Sequence, residues 1–105
     1  MARFLNLLPF TVRTYAELAE ATTSHLRTDK GTHEIDIIVE RRDGSVIPIE
    51  VKMAQTPSDS DVKHLNWLEQ QIPDRVADKI LITTGQYAYR RQDGVAVIPL
   101  ALLGP

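Results

Sequence analysis

The sequence predicts an α/β domain built on a small mixed sheet, and three observations predict it. Two runs alternate polar and apolar residues at period two, Glu34-Ile35-Asp36-Ile37-Ile38-Val39-Glu40 and Ile47-Pro48-Ile49-Glu50-Val51-Lys52, on either side of Arg42-Asp43-Gly44. Each run reads as a half-buried strand, and the segment between them as a tight turn. Further on, the helical stripe Val62, Leu65, Leu68, Ile72 precedes the apolar run Lys79-Ile80-Leu81-Ile82-Thr83-Thr84. A helix followed by a buried strand suggests a crossover unit that adds a parallel strand. Finally, 105 residues make one domain, 1–105, with a modest core.

Taken in order, the chain opens on the apolar leader Met1–Phe10, whose short apolar stretch holds Asn6 and ends at Pro9 without a small-residue cleavage site. Phe4, Leu5, Leu7, Leu8 and Phe10 are more apolar surface than one short helix end buries, which points to a homodimer interface or to a cut edge that met another domain. Thr11 to about Thr23 reads as a helix on the spacing of Val12, Tyr15, Leu18 and Ala19, with Thr11 as N-cap. Ser24–Thr28 is a short strand and Asp29-Lys30-Gly31-Thr32 a turn, so the middle of the chain is a three-stranded antiparallel meander. Ala54–Ser58 connects to a helix capped by Ser58 or Ser60 and ended by Pro73. Gln86–Gly94 is a loop, and Val95–Leu100 a last short strand in which Pro99 favours an edge or a strand end.

Composition narrows the function classes. The hydrophobic share of 43% suits a soluble globular protein. There is no cysteine, hence no thiolate nucleophile or ligand, and no apolar run of membrane-spanning length. Together these point to a cytoplasmic protein without a membrane partner. The net charge of -2 argues against a protein that coats nucleic acid but not against a nuclease, whose metal reverses the local potential.

The turn decides whether the two strands share a site. A two-residue loop at Asp43-Gly44 would set Asp36 opposite Val51. A three-residue loop, Arg42-Asp43-Gly44, sets Asp36 opposite Glu50, and Gly44 supplies the left-handed residue it needs. With that register Glu34, Asp36 and Ile38 share a face with Pro48, Glu50 and Lys52. An Asp, a Glu and a Lys on one patch can hold Mg²⁺ or Mn²⁺ through Asp36, Glu50 and the Val51 carbonyl, with Lys52 orienting or deprotonating the attacking water. The same three residues also make an ordinary polar sheet surface with an ion pair.

Asp36, a spacer of thirteen residues, and Glu50-Val51-Lys52 resemble the motif of the PD-(D/E)xK nuclease superfamily. The longer text "SHLRTDKGTHEIDIIVE", "IEVK", "LNWL" and "TTGQYAYRRQDGVAVIPLALLGP" resembles the uncharacterised C-terminal domain attached to bacterial AAA-type ATPases, over about residues 11–105. The resemblance implies a restriction-endonuclease-like fold with flanking helices. It also implies metal binding by Asp36 and Glu50, and catalytic roles for Asp36, Glu50 and Lys52. It departs from the pattern in two places. Leu5 stands where an acidic residue belongs, with Glu17 and Glu20 too far along the helix to replace it, and the chain holds no GxxxxGK[ST] phosphate loop.

Other residues carry weaker readings. Glu34 is an edge charge or an extra ligand, and Gln55 a loop residue or a phosphate contact. His64 is a surface histidine, and Trp67 packs on the sheet. In Tyr87-Ala88-Tyr89-Arg90-Arg91, Tyr89 anchors the loop while Arg90 pairs with a carboxylate, or the loop contacts phosphate and stacks on bases. The leading expectation is therefore a metal-dependent phosphodiesterase acting on DNA. The alternative is a non-catalytic interaction or regulatory module derived from an ATPase-linked nuclease-like domain, whose partner is the missing ATPase portion.

Overall fold

Gly44 sets the register of the sheet. The structure, a computed structural model, describes residues 22–28 and 31–103. In it the Arg41 amide donates to the Ser45 carbonyl at 2.8 Å and the Gly44 amide to the Arg41 carbonyl at 3.0 Å. Gly44 takes a φ of 86°, the left-handed conformation that glycine adopts without a Cβ penalty. Arg42-Asp43-Gly44 is thus the three-residue loop, and it joins β2 (Glu34–Glu40) to β3 (Val46–Lys52) as an antiparallel pair with Ile37 opposite Ile49. β1 (Thr22–Arg27) pairs antiparallel with β2 and completes the meander. It begins at Thr22, so Thr22 and Thr23 are strand residues rather than the end of a helix. The rest of the helix expected over Thr11–Thr23, the apolar leader, Leu5, Glu17 and Glu20 lie outside the described residues, as do Asp29 and Lys30.

The β1–β2 pairing is irregular. Ser24 pairs with Ile38 but Leu26 pairs with Ile35, so β2 carries one extra residue at Asp36-Ile37, a β-bulge. A bulge breaks the two-residue alternation of side chains. Ile35 and Ile38 therefore pack in the same core cluster, and Glu34 does not share the face of Ile38 as strict alternation requires.

Beyond β3 the chain makes the expected crossover. The Ser58 amide donates to Asp61 Oδ2 at 2.8 Å, which seats the 3-10 turn Asp59–Val62 and its continuation, α1 (Lys63–Gln71). The Ile72 amide closes the last turn on Leu68 at 3.0 Å, and Pro73, with no amide to donate, stops the helix. β4 (Ile80–Thr83) then runs parallel to β3, and β6 (Ala96–Pro99) parallel to β4, with the two-residue β5 (Tyr89–Arg90) antiparallel on its outer side. The sheet order is β1-β2-β3-β4-β6-β5. The described residues form a small α/β domain with a mixed sheet and one major helix.

Two prolines fit the ladder. Pro48 lies in central β3, where a missing donor would normally cost a bond. It falls in a gap: an isolated bridge joins Val46 to Val76, and the continuous ladder resumes only at Ile49–Ile80. Pro99 ends β6 beyond the reach of β5, which pairs only with Ala96 and Val97. The core has two layers. Ile35, Leu81 and Val95 pack under Val62, Leu65 and Leu68 of the helical segment. Val39, Ile47, Ile49, Ile80, Ala96 and Ile98 form the cluster on the other face.

Candidate functional site

The hairpin brings Asp36 and Glu50 together, as the three-residue loop requires. The β2–β3 ladder ends at Ile37–Ile49, and at the next step side chains take over from the backbone. Asp36 Oδ2 accepts the Val51 amide at 2.9 Å, and Glu50 Oε1 accepts the Asp36 amide at 3.2 Å. Each carboxylate grips the other strand, so the pair acts as a reciprocal staple at the bulged end of the hairpin. Charge-assisted bonds of this kind are stronger than neutral ones, although exposure to water discounts them here. Val51 enters the staple through its amide and sits beside Ile82 of β4.

Lys52, two residues after Glu50 on β3, reaches towards the helical segment. Its Nζ lies 3.6 Å from Asp61 Oδ1. The Ser58 amide is the main cause that holds the Asp61 carboxyl below the usual range; burial opposes it, and the Ser58 hydroxyl and Lys52 add to it. Glu34 pairs with Arg27 at 3.5 Å. Gln55 is exposed on the connector, where its carbonyl packs against Gly85; a Cβ at Gly85 would stand 2.8 Å from that oxygen.

A divalent cation needs several oxygen ligands converging on one point. Asp36 Oδ2 and Glu50 Oε1 already accept amide hydrogens, Lys52 is directed to Asp61, and among the described residues no group of three or more His, Cys, Asp or Glu could hold a metal ion. This overturns the leading expectation of a metal-dependent phosphodiesterase acting on DNA. Among the described residues no third carboxylate or imidazole joins Asp36 and Glu50 to complete a site for Mg²⁺ or Mn²⁺.

A second polar cluster, which sequence reasoning missed, lies where α1 meets the β5–β6 turn. Lys79 is 3% exposed, and its ammonium donates to Asn66 Oδ1 at 2.8 Å, Glu69 Oε1 at 2.8 Å and the Asp93 carbonyl at 2.7 Å. Three acceptors satisfy the three donors of a buried ammonium. Around it Arg91 reaches Asp59 at 2.6 Å and Asp93 at 3.3 Å, and Arg90 bonds Asp78 and the Gly94 carbonyl, both at 2.8 Å. Bonding to Asp59, the largest cause, raises the Arg91 pKa. Burial works to raise that of Asp93, but bonds from Asn66 and Val95 and the charge of Arg91 outweigh it and hold the carboxyl below its usual range. An open cleft of about 540 Å³ lies over this network, lined by Asp59, Val62, Asn66, Arg91, Gln92 and Asp93. The expected pairing of Arg90 with a carboxylate is present, whereas Tyr87 stands exposed. Lys79 opens the apolar run 79–84, and the available signal for the cluster is the recurrence of Arg-x-Asp-Gly at 41–44 and 91–94, which marks two turns of one kind.

Apolar exposure is concentrated elsewhere. Among the described residues, Val51, Met53, Tyr87, Leu100 and Leu102 are the large hydrophobic residues exposed. All lie at or just past the carboxyl ends of the three parallel strands β3, β4 and β6. The connectors there are tied together, the Thr84 amide donating to the Ala54 carbonyl at 3.3 Å.

Fold and site define a small α/β domain whose conspicuous acid pair serves strand pairing. The family model described as "Domain of unknown function (DUF4143)" matches residues 10–103, and the chain belongs to that family. No curated protein and no solved structure matches it.

Proposed function

We propose that this chain is a non-catalytic protein-interaction module, derived from an ATPase-linked nuclease-like domain. The observation that carries the reading is the staple: Asp36 and Glu50, the residues best spaced for a metal, spend carboxylate oxygens on each other's strands. The PD-(D/E)xK likeness and the restriction-endonuclease-like fold it implies are then ancestry, not activity. The surface for the partner is the apolar rim of Val51, Met53, Tyr87, Leu100 and Leu102, because exposed apolar residues gathered in one place mark contact sites. The partner is the AAA-type ATPase portion to which domains resembling this one are attached. No helix among the described residues is long and apolar enough to cross a membrane, so the reading needs no membrane surface.

Binding of the purified chain to the AAA-type ATPase portion of a full-length family member, measured by calorimetry, tests this. Met53→Asp and Tyr87→Asp should each weaken binding at least about tenfold, as loss of an anchoring side chain does, with the circular dichroism spectrum unchanged. Failure to bind at about 100 μM, too weak for a specific interface of standard size, or affinity indifferent to both substitutions, would refute the proposal.

A further inference from the structure

We propose that His33, His64 and Trp67 form a pH-sensitive clasp that fastens the start of β2 to α1 and opens when both imidazoles are protonated. The His33 ring lies flat on the Trp67 indole, with centroids 4.0 Å apart and planes 8° from parallel. Its Nδ1 lies 3.3 Å from Nδ1 of His64, and the two imidazoles meet edge to face at 86°. His33 is itself held at the end of the β1–β2 hairpin: its amide donates to Thr28 Oγ1 at 3.1 Å, and its carbonyl accepts the Thr28 amide at 3.0 Å.

The chemistry of the nitrogen pair supplies the switch. A bond between two Nδ1 atoms requires a proton on one and a lone pair on the other. One added proton can enter at the donor ring's far nitrogen and leave the bond intact. A second occupies the accepting lone pair, and two imidazolium rings then repel at contact distance. The second proton is therefore taken up only at the expense of the bond between the rings.

The charged groups around the clasp come from three elements. Glu34 on β2 favours the protonated form of His64, Lys63 on α1 disfavours it, and Arg27 on β1 holds Glu34 at 3.5 Å. Burial is the largest cause that lowers the His64 pKa below the ordinary histidine value of 6.5, and Lys63 and His33 lower it further. A depressed folded-state pKa means that the opened state takes the proton first as pH falls. The clasp is at full strength above pH 6.5 and weakens as pH falls towards the lower folded value. Opening releases the end of the β1–β2 hairpin and uncovers one face of the indole.

Trp67 is the one tryptophan in the chain, so its emission reports on the clasp directly, imidazolium being a stronger quencher of indole than neutral imidazole. The full chain, titrated from about pH 8 to pH 5 across the range of histidine, should show a pH-dependent change in emission. His64→Gln should shift its midpoint, because the ring of His33 keeps its place on the indole but loses its partner. His33→Gln should change the emission already at pH 8 and also remove the titration. Hydrogen exchange at the His33 amide, corrected for its intrinsic rate, should rise by up to about tenfold per pH unit through the transition, the slope of one linked proton. Emission flat across the range in the wild type, or a midpoint unmoved by His64→Gln, overturns the clasp. If the variants do not fold, imidazole and indole NMR signals of the wild type decide. A Trp67 shift that follows both histidines supports the clasp, and histidines that titrate without moving Trp67 overturn it.

Discussion

The same turn occurs twice in this molecule, and its two copies carry different loads. In Arg41–Ser45 and Arg91–Val95 the Arg amide donates to the residue four further on, at 2.8 and 2.9 Å, and the Gly amide returns to the Arg carbonyl at 3.0 Å in both. The Asp Oδ1 accepts the amide two residues on, at 2.8 Å from Ser45 and 3.2 Å from Val95. Both glycines are left-handed, at φ 86° and 91°. Here local sequence dictates local structure. The surroundings differ. The first turn lies at the surface, where Arg41 and Asp43 stand 3.6 Å apart and the Arg75 side chain donates twice to the Gly44 carbonyl at 3.0 Å. The second is roofed by α1 and gives its Asp93 carbonyl to the buried Lys79. Turn chemistry therefore fixes register in both places, but only the second turn is tied into the core, and the energetic weight of the fold's polar contacts lies there and not at the acid pair that the sequence advertises.

The largest effect should come from Lys79. Removing one member of a buried ion pair costs about 3–5 kcal/mol, whereas exposed pairs contribute about 0–1 kcal/mol. Glu69 is 46% exposed and can rehydrate, so Lys79→Ala should cost about 3 kcal/mol, read as a lower urea midpoint at unchanged slope. Lys79→Met should recover part of the loss by restoring packing without the charge. A loss below about 1 kcal/mol in Lys79→Ala, the range of surface pairs, would erase the distinction between the two turns.

The contrast also explains what the sequence discloses. The meander register was readable because period-two alternation and one glycine leave a single arrangement that places Asp36 opposite Glu50. The α1 stripe was readable because Val62, Leu65, Leu68 and Ile72 follow helical spacing. The bulge at Asp36-Ile37 was not, since an inserted residue has no compositional mark. Lys79 was not, because a lysine at a strand end normally reaches water. The contact of His33 with His64, 31 positions away, has no local signature. As for the acid pair, spacing correctly brought the carboxylates together, but the chemistry inferred from them did not follow, because backbone amides are competing partners that a motif does not show.

A finer contrast lies in the two turn aspartates. Asp93 accepts from Asn66 at 3.0 Å, from the Val95 amide at 3.2 Å and from Arg91 at 3.3 Å, whereas Asp43 accepts from the amide of Ser45 at 2.8 Å and its hydroxyl at 2.6 Å and faces Arg41 at 3.6 Å. Asp93→Ala should cost about 1–2 kcal/mol, since it strands the partners of several charge-assisted bonds. Asp43→Ala should cost less, because its site is open to solvent and water replaces the lost acceptor. Thermal unfolding of the two variants side by side measures the difference, and equal losses would show that turn geometry alone, not the roof over the second turn, sets the stability of each hairpin.

The smallest effects belong to the patch that looks most like an active site. Lys52 and Asp61 are 3.6 Å apart, with the lysine side chain 55% exposed, so Lys52→Ala should change stability by no more than about 1 kcal/mol. If Asp36 and Glu50 only staple β2 to β3, calorimetric titration with Mg²⁺ or Mn²⁺ should give no saturable heat that Asp36→Ala removes, and single- or double-stranded DNA should survive equally with the wild type and with Lys52→Ala. Asp36→Asn separates the two roles. It keeps an acceptor for the Val51 amide, so a staple is largely preserved, but it removes the charge on which a hard cation depends. A metal-dependent cleavage lost on Asp36→Asn at unchanged stability would break the comparison, because the exposed acids would then carry a function that their bonding argues against. Stability that falls on Asp36→Ala, holds on Asp36→Asn and ignores added Mg²⁺ would fix their role as structural.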